Sequence, residues 1–206
     1  MGTKRQIIVI GGGVSGTLSA FELARAGHEV TLLEARDFGN GSSSRSAACI
    51  RQQFGIESTV RGMIYCVRYY QQWCQITGGK QVPIEQNGYL FLYDYRTDCT
   101  QLERRVEKMR QAGLQKVEFL SRTELDQRFG HLYLESTNLI GATWCPTDGF
   151  LYPDMVYQDS ANAAATLGAK IIRHARVVQV EFKENQPIAV LTDDGRRFAG
   201  DLFINA

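Results

Sequence analysis

Apolar residues run without interruption from Ile7 to Ile10 and stop at Gly11. A β-branched run with no polar alternation predicts a strand buried on both faces of a parallel sheet. From Val14 to Ala26 the spacing changes. Leu18, Phe21 and Leu23 recur among small residues, which predicts a helix with Gly27 as its C-terminal stop. Val30 to Leu33 is apolar again and reads as a second strand. Strand, glycine turn, helix and strand within about 30 residues compose a βαβ unit, whose crossover is right-handed in nearly all folds.

Between Asp37 and Ser46 the chain becomes rich in Gly, Asn and Ser, which predicts a loop where a nicotinamide-type domain would continue towards another buried strand. Val60, Ile64, Val67, Tyr70 and Trp73 recur at helical spacing and predict a helix over Ile56 to Cys74, its aromatics belonging to a core. Tyr89 to Tyr93 reads as a strand, and Thr100 to Ala112 as a charged helix ending at Gly113. Ser121 with Glu124 three residues on predicts a capping box for a short helix to Phe129. Leu139 to Trp144 reads as a strand, and Asp154 to Leu167 as an alanine-rich helix closed by Gly168. Four short strand signals follow, Lys170 to Ile172, Val177 to Phe182, Ile188 to Thr192 and Leu202 to Asn205, with a turn at Asp194-Gly195.

With 206 residues, 44% hydrophobic and 22% charged, the composition is that of an ordinary globular chain. A net charge of +1 offers no field that would attract nucleic acid or an anionic membrane surface. Cys49, Cys66, Cys74, Cys99 and Cys145 are odd in number and form no CxxC pair, which speaks against a zinc site or a disulfide framework and for reduced thiols in the cytoplasm. The apolar run after Gln6 is too short for a signal peptide or a membrane span. No metal site, nucleic-acid partner or transmembrane segment is expected.

Gly11-Gly12-Gly13-Val14-Ser15-Gly16 matches GxGxxG between the predicted strand and helix. Gly11 permits the tight turn, Gly13 lets a pyrophosphate approach the backbone, and Gly16 allows the helix to pack closely on the strand. The helix N-terminus offers N–H groups and partial positive charge to the phosphates. Glu34 follows Gly16 by 18 residues, at the end of the second strand, where it accepts hydrogen bonds from ribose hydroxyls and repels a 2'-phosphate. These features predict binding of an adenine dinucleotide, by Gly11, Gly13, Val14, Ser15, Gly16 and Glu34.

Ile8 through Ala35 and Arg36, followed by Ser42-Ser43-Ser44-Arg45-Ser46-Ala47-Ala48-Cys49-Ile50-Arg51, resembles the D-amino-acid oxidase superfamily of FAD-dependent oxidoreductases. Within it the sarcosine oxidase β-subunit, dimethylglycine dehydrogenase and glycine oxidase branch is the most similar. Weaker likeness continues through Asp148-Gly149-Phe150 and Pro153, and returns at Ala175-Arg176-Val177 and at Asp201 to Ala206. The resemblance implies an α/β fold, a Rossmann-like FAD-binding domain of glutathione-reductase type with part of an α+β substrate domain. Its boundaries would be 1–74 for the first part of the FAD-binding domain, 75–145 for the substrate domain and 146–206 for the return, incomplete at the C-terminus. It also implies that Ser43, Ser44, Arg45, Ser46 and Ala47 contact the pyrophosphate, ribityl chain or flavin. Ala35 would belong to the same cofactor site, and Arg36 would lie near the adenine, to which Val177 would present its backbone.

By the same resemblance Arg51 holds the substrate carboxylate, as a guanidinium does with two parallel hydrogen bonds. A structural ion pair or a flavin contact would serve the residue type equally well. The implied reaction oxidises the C–N bond of a small amine or N-methyl amino acid to an imine, with hydride transfer to FAD and an unspecified electron acceptor. His28, His131 and His174 are isolated and read as surface or packing residues, and no histidine in the Ser43 to Ile50 loop supports a covalent flavin link. The alternatives are a flavin-binding assembly protein without turnover and an NAD-dependent dehydrogenase sharing only the βαβ unit. The apolar segment Leu202 to Ala206 at the end of the chain leads to the expectation of a fragment, completed by a C-terminal half or by a second chain.

Overall fold

The computed structural model describes residues 3–132 and 138–206. In chain order, β1 (Gln6–Ile10), α1 (Val14–Arg25) and β2 (Glu29–Leu33) are followed by a 3-10 turn at Ser43–Arg45 and by β3 (Cys49–Ile50). Then come α2 (Glu57–Gln71), α3 (Trp73–Thr77), β4 (Ile84–Glu85), β5 (Tyr89–Asp94), α4 (Cys99–Gln111), β6 (Glu118–Ser121) and α5 (Arg122–Phe129). After a second 3-10 turn, Gly130–Leu132, the chain forms β7 (Leu139–Cys145), β8 (Gly149–Leu151), α6 (Pro153–Thr166), β9 (Lys170–Ile172), β10 (Val177–Lys183), β11 (Gln186–Thr192), β12 (Arg197–Ala199) and β13 (Leu202–Asn205). Among the described residues, 3–48, 73–83 and 152–206 make one compact unit, and 49–72, 84–132 and 138–151 make another.

The first unit is built on a parallel sheet in the order β13-β1-β2-β9, with Ile8 opposite Thr31 on one side and Phe203 on the other. Successive residues of β1 enter different cores. Ile7 and Val9 join Val30 and Leu32 under Ala20, Phe21 and Ala24 of α1 and Ala163 and Ala164 of α6. Ile8 joins Leu33, Ala175 and Val190 on the opposite face, packed against Val177 and Phe198 of the antiparallel sheet β10-β11-β12. Covering both faces of β1 is why its sequence lacks polar alternation. Alanines on α1 and α6 keep the two helices thin where they lie on the sheet, and Phe21 shares their core. The arrangement is the Rossmann-like α/β architecture that the resemblance implies.

The second unit holds an antiparallel sheet β5-β7-β6 and a smaller one, β3-β8-β4. Its core gathers Val60 of α2, Val106 and Met109 of α4, Leu114, Val117 and Cys145, with Phe54, Ile64 and Phe119 packed against it. Helix α5 begins with the predicted capping box: the Ser121 hydroxyl accepts from the Glu124 amide while the Glu124 carboxylate accepts from the Ser121 amide at 2.8 Å. The helix expected over Ile56 to Cys74 ends at Gln71 and restarts at Trp73. Val60 and Val67 are buried in the second unit, whereas the Trp73 indole is buried in the first, where its Nε1 donates to Asp159 Oδ2 at 2.8 Å. Strands β3, β4, β6, β8 and β12 are additions to the elements predicted from the sequence, each two to four residues long.

Candidate functional site

In the first unit β1 delivers Gly11, whose φ of +109° sits in the region that favours glycine and turns the chain out of the sheet. A Cβ on Gly16 would lie 1.8 Å from the Gly11 carbonyl oxygen, so the start of α1 rests directly on the end of β1. Gly13 is the N-cap of α1, with no side-chain cap. The amide of Val14 donates to Ser43 Oγ at 3.1 Å, which brings the loop 37–46 against the helix start. The amides of Ser15 and Gly16 belong to the first turn, which has no acceptors within the helix. Glu34 stands across this turn, its Oε2 accepting from the Gly12 amide at 2.5 Å and its Oε1 from the Arg36 amide at 2.7 Å. Its own backbone is held on both sides: the Glu34 amide donates to Ile172, and the Ala175 amide donates to Glu34.

These groups close around a cavity of about 590 Å³, lined by Gly11, Gly12, Gly13, Ser15, Glu34, Ala35, Arg36, the loop from Asn40 to Ser43, Arg45 and Ala206. The volume is that of a small-molecule site. An adenine dinucleotide fits the chemistry of this lining. Each carboxylate oxygen of Glu34 keeps lone-pair capacity beyond its one backbone donor, which suits a ribose diol. A Cβ added at Gly13 would meet Ser43 Oγ at 2.9 Å and no other atom within 4 Å, leaving the backbone open to a phosphate. Arg36 and Arg45 bring cations to the same wall.

The other residues singled out from the sequence lie as follows. Val14 and Gly16 shape the helix start behind the lining, and the Ser44 amide donates to Gly39. Ser46 Oγ accepts from the Ala48 amide at 2.9 Å, and Ala47 is exposed in the same loop. Val177 packs into the core under the opposite face of the sheet and does not line the cavity. Gly12 was only the variable position of the motif, yet a Cβ there would meet Phe38 at 2.6 Å and Glu34 at 2.9 Å. No pattern in the sequence announces that approach, because Phe38 arrives from the loop. Asn40 and Gly41 signalled themselves only as turn formers.

Arg51 lies in the second unit, directly after β3. Its guanidinium carbon is 4.3 Å from the Phe54 ring centroid and 5.4 Å from that of Phe91. Tyr89 stacks on Phe91 at 5.1 Å. The Tyr89 phenol is pushed up from its ordinary value, mainly by its hydrogen bond with the Cys49 thiol, while Arg51 pulls it down. Below this corner Asp148 is fully buried. Its Oδ1 accepts from the Gln52 amide at 2.7 Å and Gln52 Nε2 at 3.1 Å, and its Oδ2 from Gln53 Nε2 at 3.0 Å. Burial raises its carboxyl, and the two glutamines work against that shift.

Residues 6–206 match the family model of the FAD dependent oxidoreductases, DAO. The chain belongs to this family, whose members bind FAD. It is 24% identical to glycine oxidase of Geobacillus kaustophilus over 98% of its length and 54% of the relative's. It is 26% identical to 4-methylaminobutanoate oxidase of Paenarthrobacter nicotinovorans over 94% of its length, which is 23% of that enzyme. The solved structure of L-proline dehydrogenase from P. horikoshii superposes with a TM-score of 0.84 at 32% identity, covering all of this chain and 53% of the other. The chain thus spans about half, or less, of the proteins it matches. Among the described residues no helix is long and apolar enough to cross a membrane, and no group of three His, Cys, Asp or Glu is placed to hold a metal ion.

Proposed function

We propose that this chain supplies the adenine-dinucleotide cradle and the substrate-carboxylate contact of an enzyme that oxidises the C–N bond of a small amine or N-methyl amino acid to an imine. The observation that carries the reading is the cavity in which Glu34, the glycine turn and Arg45 meet, in a chain of an FAD-dependent family. The proteins named above act, by their names, on glycine, 4-methylaminobutanoate and L-proline, each of which joins an amine to a carboxylate. Bound FAD supplies the two-electron acceptor.

In this reading the first unit holds the cofactor and the second the substrate. Glu34 accepts the ribose hydroxyls, the Ser15 and Gly16 amides and Arg45 face the pyrophosphate, and Ser43 to Ala47 continue along the cofactor. The Ala35-Arg36 segment and the Val177 backbone serve the adenine end. Arg51 grips the carboxylate. Its guanidinium carbon lies over the Phe54 and Phe91 rings, and its planar fork of N–H groups suits a bidentate partner. A cytoplasmic location goes with this reading, since the five cysteines are scattered along the sequence and form no CxxC pair.

The test is anaerobic mixing of the FAD-loaded protein with L-proline, N-methylglycine and glycine, following the absorbance of oxidised flavin. Bleaching by at least one of them is expected, with a KM that rises at least about tenfold in Arg51→Ala, the size of a lost charge-assisted contact. Flavin that is reduced by light but by no amino acid or amine would turn the reading into that of a flavin-binding assembly protein.

A further inference from the structure

We propose that Asp148 is the positioning residue for Arg51, holding its backbone and so the direction in which its guanidinium is presented. The purpose assigned to that guanidinium, carboxylate capture, rests on the function proposed above; the positioning itself does not.

Asp148 is a buried carboxylate that accepts from the amides of Gln52 and Gln53, with the Cys145 thiol as a further hydrogen-bond partner. Both of its oxygens are engaged by the two residues that follow Arg51. The bond from the Gln52 amide, at 2.7 Å, fixes the peptide that joins Arg51 to Gln52. The side chain of Gln52 closes on the same oxygen and reaches Thr147 Oγ1 at 2.8 Å, so the residue is clamped from both its ends. Gln53 Nε2 is shared between Asp148 Oδ2 and the Tyr89 carbonyl, 3.0 Å from each. Turning that carboxamide over would set its oxygen against two acceptors. Its orientation is therefore imposed, and Gln53 Oε1 is left buried with no partner. Buried acceptors without a partner are rare, and here the Nε2 of the same carboxamide is committed to two acceptors.

The clamp and the aromatic ring pair act on one residue from two sides. Tyr89, whose carbonyl receives Gln53, is in the strand that carries Phe91, and Phe91 with Phe54 bounds the guanidinium. Asp148 thus holds the Gln52 backbone directly, and the Gln53 side chain that it also holds reaches the strand on which Arg51 rests. A carboxylate fits this place because it accepts from three N–H groups and offers no donor. Asparagine would keep the shape and put an NH2 among donors.

The experiment follows the Arg51 δ-methylene and Nε–H resonances, assigned by their loss in Arg51→Lys, in the full chain. Stacking on Phe54 and Phe91 displaces them by ring currents. In Asp148→Asn the displacement is expected to fall by half or more while unfolding stays cooperative. Gln52→Met, which keeps the backbone bond and removes the side-chain clamp, is expected to show a smaller loss and serves if Asp148→Asn does not fold. In turnover by the FAD-loaded protein the KM for an amino acid with a free carboxylate is expected to rise about tenfold in Asp148→Asn, with kcat changed less than about twofold. Arg51 resonances unmoved in both variants would overturn the proposal. If they move but Arg51→Ala leaves carboxylate affinity unchanged, the positioning stands and the carboxylate reading falls.

Discussion

At the scale of single residues, the glycines of the motif divide by what a methyl group would strike. On Gly16 it would be driven into the Gly11 carbonyl, which is backbone and cannot yield, whereas on Gly13 it would press on the Ser43 hydroxyl alone. Gly16→Ala is therefore expected to abolish a stable fold of the first unit, and Gly13→Ala to remain folded within about 1–3 kcal/mol of the parent. The second variant loses FAD affinity instead. Circular dichroism melts alongside flavin fluorescence titration check this, and a Gly13→Ala protein that binds FAD normally would contradict the role given to that backbone. The turn at Gly11, the close packing at Gly16 and the place of Glu34 directly after β2 were legible beforehand because their spacing is dictated by a strand, a turn and a helix. Gly12 was not, since its neighbour Phe38 is brought to it by a loop.

At the scale of elements, α2 shows how environment acts on one side chain. Tyr70 lies near its end, and burial first, with Cys66 second, pushes its phenol up to about 12. The folded protein thus holds this proton more tightly than the unfolded chain, in which the phenol titrates near ~10. The stability it contributes is complete below pH ~10 and is lost as the pH rises through about 12. Denaturant unfolding at pH 9 and pH 12 is expected to show the parent losing more stability over that interval than Tyr70→Phe. Equal losses would remove the assignment. The helical spacing of Val60, Ile64 and Val67 announced α2 itself, but not its end at Gln71. That end depends on Trp73 finding Asp159, a partner 86 positions away. Strands β6 and β12 were missed for a related reason: runs this short carry little periodicity and become strands through the neighbours β7 and β11 that they pair with.

At the scale of the whole molecule, ligand binding and folding are linked. FAD held by the native first unit and not by the unfolded chain stabilises by about 2.7 kcal/mol at 100 times its Kd. Thermal melts with and without excess FAD are expected to separate accordingly, and Glu34→Gln, with weaker ribose contacts, to show the smaller shift at equal FAD. An FAD-independent melting temperature in the parent would count against the cradle.

The order of residues along the chain determined the βαβ start, its glycine turn and the acid at the end of β2, because each depends on neighbours within one supersecondary unit. It also determined the capping box of α5 and the alanine helix α6, which are local in the same sense. Tertiary structure alone decided that Ile7 and Ile8 feed different cores, that β10 to β12 cover the face away from the helices, and that Asp148 reaches back to Gln52 and Gln53. Those contacts join residues far apart in sequence, and no period in the chain encodes which of many equally apolar or polar segments will meet. Arg51 stands between the two cases. Its place after the serine-rich loop was visible from the start, but the rings beside its guanidinium and the buried carboxylate that holds its neighbours Gln52 and Gln53 appeared only once the chain was folded.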